Sequence, residues 1–329
     1  MPDIAALGGR RLFLTGATGF VGRTLLDHFA ALAVGAPGDF EVCGLSRDPQ
    51  AFLARFPQYA GLRWFTLRRG DVLDPPAPDG RFTDVIHAAA DTHSAAGARA
   101  WIRQIVDGTA AAIDFACAAG AERFLHTSSG AVYGPQPAGL ARIPEDHPGA
   151  PATDAPTSVY GQAKRVAEQL CTAAFAERGL GAVNARCFAF VGRHLPLDGP
   201  YAMGNFLRDA LFADAITVHG DGRAVRSYLD GRDLAHWLLR LLRDGAAGQS
   251  YNVGSDEAVT TRELAGRVAA VVAPGKPVVV RDAATDAGAR SLYVPCVAKA
   301  AALGLRRRID LDTAIADAAE ALPRARLAR

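Results

Sequence analysis

The sequence predicts a doubly wound α/β protein, a parallel sheet with helices on both faces and a smaller C-terminal lobe interleaved with its last part. Three observations carry that expectation. Short β-rich runs alternate with helical patterns over the first two thirds of the chain, a glycine triplet stands where the first run gives way to the first helix, and half of the 329 residues are apolar, enough for a large core.

The first apolar run, Arg11-Leu12-Phe13-Leu14, leads into Thr15-Gly16-Ala17-Thr18-Gly19-Phe20-Val21-Gly22, and a helical pattern follows at Thr24-Leu25-Leu26. Further strands are expected at 40–45, 62–67, 84–90, 123–129 and 182–190, with helices at 98–119 and 159–178 between them, the alternation of βαβ units. Residues 134–157 hold six prolines, which rules out a helix or a central strand and predicts a long surface loop. Beyond residue 190 the pattern loosens: helices near 204–212, 229–244, 260–273 and 311–322, and strands near 215–222 and 277–282. The expected division is a dinucleotide-binding domain over 1–189 plus about 229–253, and a substrate lobe over about 190–228 and 254–329.

Charge and cysteine content exclude several classes of function. Lys plus Arg number 36 against 34 Asp plus Glu, so no long-range field favours nucleic acid or an anionic membrane, and neither is expected as a partner. No apolar stretch reaches the roughly 18 residues of a bilayer span, and an Asp stands near the N-terminus where a secretory leader carries basic residues, so the expected location is cytoplasmic. Five cysteines, odd in number and widely spaced, are expected as buried free thiols, and the histidines show no ligand spacing, so no metal is expected.

A glycine triplet between strand and helix lets the chain turn tightly, opens the backbone to a pyrophosphate and aims helix N-terminal N–H groups at that anion. This assigns Gly16, Thr18, Gly19, Phe20, Val21 and Gly22 to a Rossmann-type dinucleotide site. The second strand ends in Ser46-Arg47 where NAD sites carry an acidic residue, and a hydroxyl with a guanidinium suits the 2′-phosphate of NADP, so NADP(H) is favoured over NAD(H). Asp71 and Val72 close the third strand, where a carboxylate and an amide can bond an adenine; the aspartate fits a turn equally well.

Tyr160 and Lys164 stand four apart in a helical pattern and share one face. A phenol titrates near 10 in water, and an ammonium beside it favours the phenolate and brings it towards the working range of an acid or base. The strand at 123–129 ends in Ser128-Ser129, at the edge of the sheet where doubly wound folds bind ligands.

These motifs in their order, the glycine loop, His87-Ala88-Ala89-Ala90, Ser128-Ser129-Gly130-Ala131-Val132-Tyr133-Gly134 and Tyr160-Gly161-Gln162-Ala163-Lys164, resemble the extended short-chain dehydrogenase/reductase family, in its nucleotide-sugar epimerase, dehydratase and reductase branch. The likeness extends to Arg226-Ser227-Tyr228-Leu229 and Tyr251-Asn252-Val253-Gly254. It implies a catalytic trio of Ser129 as hydrogen-bond donor, Tyr160 as acid or base and Lys164 as ribose ligand and tuner of the tyrosine. It adds Ala88, Ala89, Ala90 and Phe188 to the cofactor contacts, and it places Thr92, His93, Ser129, Asn205 and Arg226 against a nucleotide-sugar substrate. It also implies a homodimer joined through the helices at 98–119 and 159–178.

The chain departs from that pattern at informative places. The 4,6-dehydratases of the branch carry Asp-Glu directly after the active-site Thr or Ser, and here Gly130 and Ala131 stand there, which leaves elimination without its acid and base. Ile105 replaces a usual Asn near the cofactor, and Ala189 replaces a usual Asn after Phe188. The resulting expectation is NADPH-dependent reduction of a 4-keto deoxysugar nucleotide. A 4-epimerase with retained cofactor is the alternative, ahead of a dehydratase or a dinucleotide-binding protein without catalysis.

Overall fold

The computed structural model describes residues 8–35, 40–90, 97–281 and 291–322. Seven strands form the central sheet: β1 (Arg10–Thr15), β2 (Phe40–Ser46), β3 (Phe65–Arg69), β4 (Asp84–His87), β5 (Arg123–Ser129), β6 (Gly181–Cys187) and β7 (Ser250–Val253). They lie in the spatial order β7-β6-β5-β4-β1-β2-β3, a parallel sheet of the doubly wound kind. The order reverses between β1 and β4, which pair from Leu12↔Asp84 to Thr15↔His87. Beyond the carboxyl ends of those two strands lies the switch point, where open α/β sheets bind ligands.

The chain divides into two compact units. The first comprises Met1–Gly134, Ala150–Cys187 and Ala235–Tyr251. On one face of its sheet, α3 (Ala98–Ala118) and α4 (Val159–Arg178) pack over a core of Phe13, Phe82, Val85, Phe115 and Phe124, with the Phe13 and Phe115 rings stacked 4.0 Å apart. α1 (Phe20–Gly35) buries Leu25, Leu26 and Phe29, and the Phe29 ring meets those of Phe40 and Trp64. α2 (Pro49–Arg55) begins on proline and is capped by Asp48. These residues fold locally as their pattern dictates, because apolar positions recur at helical spacing in α3 and α4 and as nearly continuous runs in strands covered on both faces.

The second unit comprises Pro135–Gly149, Phe188–Leu234 and Asn252–Arg329. It holds α5 (Ala202–Phe212), α7 (Thr261–Val272), a helix at Leu311–Ala321 and small sheets, among them Val225–Arg226 between Val259–Thr260 and Leu292–Tyr293. α7 starts from a capping box in which Thr260 and Glu263 exchange side-chain-to-backbone bonds. The intervening α6 (Gly231–Asp244) follows the short strand Leu229–Asp230.

Most boundaries fall within two residues of the expected ones, with two differences of substance. The third strand runs over Phe65–Arg69 rather than 62–67. The proline-rich segment has no helix or strand before the short 3-10 turn Pro156–Ser158, yet its part 135–149 is an anchored piece of the second unit. Ile143 is fully buried there and exchanges backbone bonds with Val294 and Cys296, while buried Gln136 accepts from the Val294 amide at 2.9 Å. Of the five free cysteines only Cys43 and Cys171 are buried, and Cys117, Cys187 and Cys296 are half-buried. No helix among the described residues is long and apolar enough to cross a membrane.

Candidate active site

Each glycine of the loop between β1 and α1 has its own physical reason. Gly16 takes φ +71°, and a Cβ there would lie 2.6 Å from backbone atoms of Ala88 and Ala89, so both conformation and contact demand glycine. A Cβ on Gly22 would lie 2.2 Å from the Gly16 carbonyl oxygen, because the first turn of α1 sits directly on the loop. Gly19 is exposed, and a Cβ there would meet only the Gly16 oxygen, at 3.4 Å. The first and third glycines therefore serve the packing of the loop itself, and the second keeps an open side at the N-terminus of α1. That helix has no acidic residue in its first turn, so its N–H groups and dipole are available to an anion. The residues present fit a dinucleotide pyrophosphate.

Neighbouring strand ends complete this wall. Thr15 accepts from the Ala89 amide at 3.3 Å, and its carbonyl accepts from the Ala88 amide at 3.2 Å, which ties the end of β4 to the glycine turn. At the end of β2, buried Ser46 accepts from the Asp48 amide through its hydroxyl, and the Asp48 carboxylate caps α2 by accepting from Ala51. Arg47 is left exposed, with no ion pair among the described residues, so its guanidinium stands ready for an anion. Asp71 forms the turn that its sequence allowed, accepting from the Leu73 amide at 3.0 Å, while Val72 buries its side chain against Gly108. Ala90 is half-buried after β4, and Thr92 and His93 lie outside the described residues.

The expected trio is carried by two adjoining elements. Ser129 ends β5 and caps a 3-10 turn, Gly130–Tyr133, its Oγ accepting from the Ala131 amide at 3.2 Å. That bond occupies an acceptor lone pair and leaves the hydroxyl proton to donate elsewhere. α4 packs on this turn so closely that a Cβ on Gly161 would lie 2.5 Å from the Ala131 carbonyl oxygen. The glycine after Tyr160 thus permits the approach of the tyrosine's helix to the serine's turn. The Tyr160 ring lies 5.3 Å from that of Trp101 and packs against the cluster of Ile105, Ala163 and Ala167. Ile105, standing where a polar residue is usual in the resembling family, gives the phenol an apolar flank.

Lys164 is 1% exposed and donates to the Thr127 carbonyl at 2.7 Å. Burial pulls its ammonium down to about 8, and the acidic groups Cys187, Cys171 and Glu168 partly offset the loss. Cys187, whose Cα is the register partner of Ser129, has its thiol pushed up to about 12 by burial, so it stays protonated.

Two networks escaped sequence reasoning. Glu168 receives a two-pronged ion pair from Arg186 of β6, with Nη2 to Oε2 at 2.8 Å and Nε to Oε1 at 3.0 Å, and also accepts from Ser128 at 2.5 Å. Arg186 further donates to the Tyr133 hydroxyl at 2.8 Å, so one cluster locks α4, β5, β6 and the 3-10 turn together. The spacing of Tyr160, Lys164 and Glu168, four apart each time, was the available signal. The second network centres on His87, fully buried, whose Nδ1 meets Thr15 Oγ1 at 2.8 Å and whose Nε2 meets Thr109 Oγ1 at 3.2 Å. Burial, with Lys164 nearby, drives its imidazole down to about 3, so it is neutral at working pH.

The remaining expected contacts belong to the second unit. Asn205 donates to the Gly199 carbonyl at 3.1 Å and accepts from Arg208 at 3.3 Å. Arg226 donates to the carbonyls of Val225 and Ser291 and to the Ser291 hydroxyl, and its guanidinium stands 5.8 Å from the centroid of the Tyr293 ring, with no carboxylate partner among the described residues. The Phe188 ring lies 4.5 Å from that of Tyr293. Among the described residues no group of His, Cys, Asp and Glu could hold a metal ion.

Comparison with known proteins gives consistent results. Residues 12–254 match the model of the NAD dependent epimerase/dehydratase family. The chain is 27% identical over 326 residues to a dTDP-glucose 4,6-dehydratase of Streptomyces antibioticus, covering 93% of this chain and 90% of that protein. Among solved structures it is similar to DesIV, a dTDP-glucose 4,6-dehydratase from Streptomyces venezuelae with NAD bound, at a TM-score of 0.80 and 25% identity over 94% of this chain and 96% of that one. It also shares its fold with a UDP-N-acetylglucosamine 4-epimerase from Methanobrevibacter ruminantium, at a TM-score of 0.81 and 18% identity over 95% and 98% of the two chains.

Proposed function

The chain belongs to the NAD dependent epimerase/dehydratase family, the nucleotide-sugar branch of the extended short-chain dehydrogenases/reductases, and from that premise we propose that it reduces a 4-keto deoxysugar nucleotide at the expense of NADPH. The observation that carries the reading is the turn after Ser129: the trio Ser129, Tyr160 and Lys164 is complete, but Gly130 and Ala131 supply no carboxylate for an elimination. The dehydratases among its relatives are named for a reaction that removes water; a chain without that acid–base pair keeps the oxidoreductase half of the chemistry.

In this reading Gly16 to Gly22 and the first turn of α1 hold the pyrophosphate, Ala88 and Ala89 line the dinucleotide, and Asp71 and Val72 receive the adenine. Ser46 and Arg47 receive the 2′-phosphate, supported by the free guanidinium of Arg47. When bound, the nicotinamide supplies the hydride. Ser129, its lone pair engaged by Ala131, donates a hydrogen bond to the keto oxygen and polarises the carbonyl, keeping its own proton. Tyr160 delivers its phenolic proton to that oxygen, and the Lys164 ammonium stabilises the phenolate left behind. Thr92, His93, Asn205 and Arg226 are assigned to the nucleotide sugar, with Arg226 as the group suited to a diphosphate. Ile102 and Val166, 45% and 47% exposed on α3 and α4, support a homodimer formed through those helices. The free cysteines suit a reducing cytoplasm.

The test is a panel of UDP-, dTDP-, GDP- and CDP-linked sugars and keto sugars, with absorbance of the reduced cofactor followed. Stoichiometric NADPH consumption on a keto sugar, lost by about 10²–10⁴-fold in Tyr160→Phe while NADPH binding persists, is the expected result. Interconversion of sugar nucleotides without added cofactor points instead to an epimerase, and release of water from a 6-hydroxy substrate refutes the role given to Gly130 and Ala131.

A further inference from the structure

A row of polar side chains crosses the central sheet. Thr15, His87, His126 and Asn184 are successive register partners on β1, β4, β5 and β6, so their side chains share one face. All four are at most 2% exposed. The first half of the row is fully paired. The Thr109 hydroxyl donates to the Ile105 carbonyl at 2.6 Å, so it accepts from His87 Nε2–H, and His87 Nδ1 then accepts from Thr15.

The second half is not paired. Among the described residues neither ring nitrogen of His126 has a hydrogen-bond partner, and neither has Asn184 Oδ1. The His126 ring stacks on His87 at 5.4 Å, and the next residue, Thr127, offers its carbonyl to Lys164. Among the described residues Lys164 makes only that bond, although an ammonium carries three donors. A buried polar group left unbonded loses the water it bonded in the unfolded chain with nothing in return, so on stability alone an apolar residue would serve better at position 126. A group that harms the fold and lies beside a catalytic ammonium calls for a role in that ammonium's chemistry.

We propose that His126 is a positioning residue for Lys164: Asn184 Oδ1 takes the His126 N–H, and the other ring nitrogen accepts a second bond from the Lys164 ammonium. Parallel neighbours lie about 4.8 Å apart, within reach of a side-chain rotation that joins the amide oxygen to the ring. His126 is suited to this because burial, with Lys164 and then His87 adding to it, holds the imidazole well below its ordinary range and therefore neutral. The other titratable groups bearing on Lys164 are Glu168 and Cys171 on its own helix, Cys187 on β6 and His87 on β4. The consequence is an ammonium that stays charged at the pH where Tyr160 works, and the inference rests on the proposed role of Lys164.

The chain has three lysines, Lys164, Lys276 and Lys299, so carbon-13 NMR of labelled lysine side chains titrates Lys164 directly, without cofactor or substrate. His126→Phe, and His126→Leu as a second apolar variant, should lower the Lys164 midpoint by about one pH unit, because the charged form loses an acceptor. His126→Gln, which keeps an acceptor, should restore it. Asn184→Leu should shift it in the same direction in the native chain and not at all beside His126→Phe. An unchanged midpoint in the apolar variants overturns the proposal. So does failure of both to fold, since that would show the imidazole serving the fold. A shifted midpoint in a protein that turns over no keto sugar would retain the positioning role and refute the proposed reaction instead.

Discussion

Gly19→Ala separates the fold from the proposed cofactor site, because no packing contact requires the absence of a side chain at this glycine. Its backbone is outside the left-handed region, and an added Cβ would meet only the Gly16 oxygen at an ordinary 3.4 Å. Alanine reduces the freedom of the unfolded chain, worth about 0.4–1 kcal/mol in favour of the fold. Against that, Gly19 accepts the first helical bond from Arg23, a capping position where alanine is inferior by a comparable amount. The two effects nearly cancel, so the thermal midpoint of the unliganded protein should stay within about 3 °C. Dinucleotide binding should fare differently, since a methyl group would stand where the pyrophosphate approaches. Loss of one or two charge-assisted hydrogen bonds, about 1.5–3 kcal/mol each, weakens binding at least about tenfold. Calorimetric titration of NADPH and NADH against both proteins measures this. Gly16→Ala is the control: its left-handed backbone and its contact with Ala88 should destabilise the fold itself by about 2–4 kcal/mol. If Gly19→Ala binds both dinucleotides as tightly as the native chain does, the anion does not sit over this turn and the cofactor assignment is wrong.

Three further outcomes follow from the same geometry. Arg47→Ala should weaken NADPH about tenfold or more while leaving NADH nearly unchanged, and equal losses for both would remove the basis for NADP selectivity. His87 binds its proton only near pH 3 in the folded chain and near 6.5 when unfolded, so the unfolded state holds more protons between those values. Stability is therefore complete above about pH 6.5 and declines on acidification by up to about 1.4 kcal/mol per pH unit; denaturant titrations of His87→Gln from pH 4 to 7 should show a shallower decline. Ile102→Asp with Val166→Asp should yield a monomer by light scattering if α3 and α4 form the dimer contact, and an unchanged mass would place that contact elsewhere.

Much of the candidate site is legible in the sequence because its signals are local. A glycine triplet between an apolar run and a helical pattern has one common use, and the four-residue spacing of Tyr160 and Lys164 puts them on one helix face whatever surrounds them. The proline content of 134–157 correctly excluded regular structure, but it could not tell that Ile143 and Gln136 would anchor 135–149 within the second unit. Glu168 stood in plain view four residues past Lys164; its partner Arg186, 18 residues further on, was not marked by any local pattern.

The sequence by itself determined the alternation of strands and helices, the glycine turn and the residue types of the trio, since periodicity and backbone freedom are properties of neighbours along the chain. Tertiary structure alone decided which residues of different strands stand side by side. The row Thr15, His87, His126 and Asn184 spans 169 positions between its first and last members, and strand register, set by packing of the whole sheet, is what aligns it. The approach of Gly161 to Ala131 has the same origin: a helix can lie that near a distant turn only once the sheet has fixed where both begin.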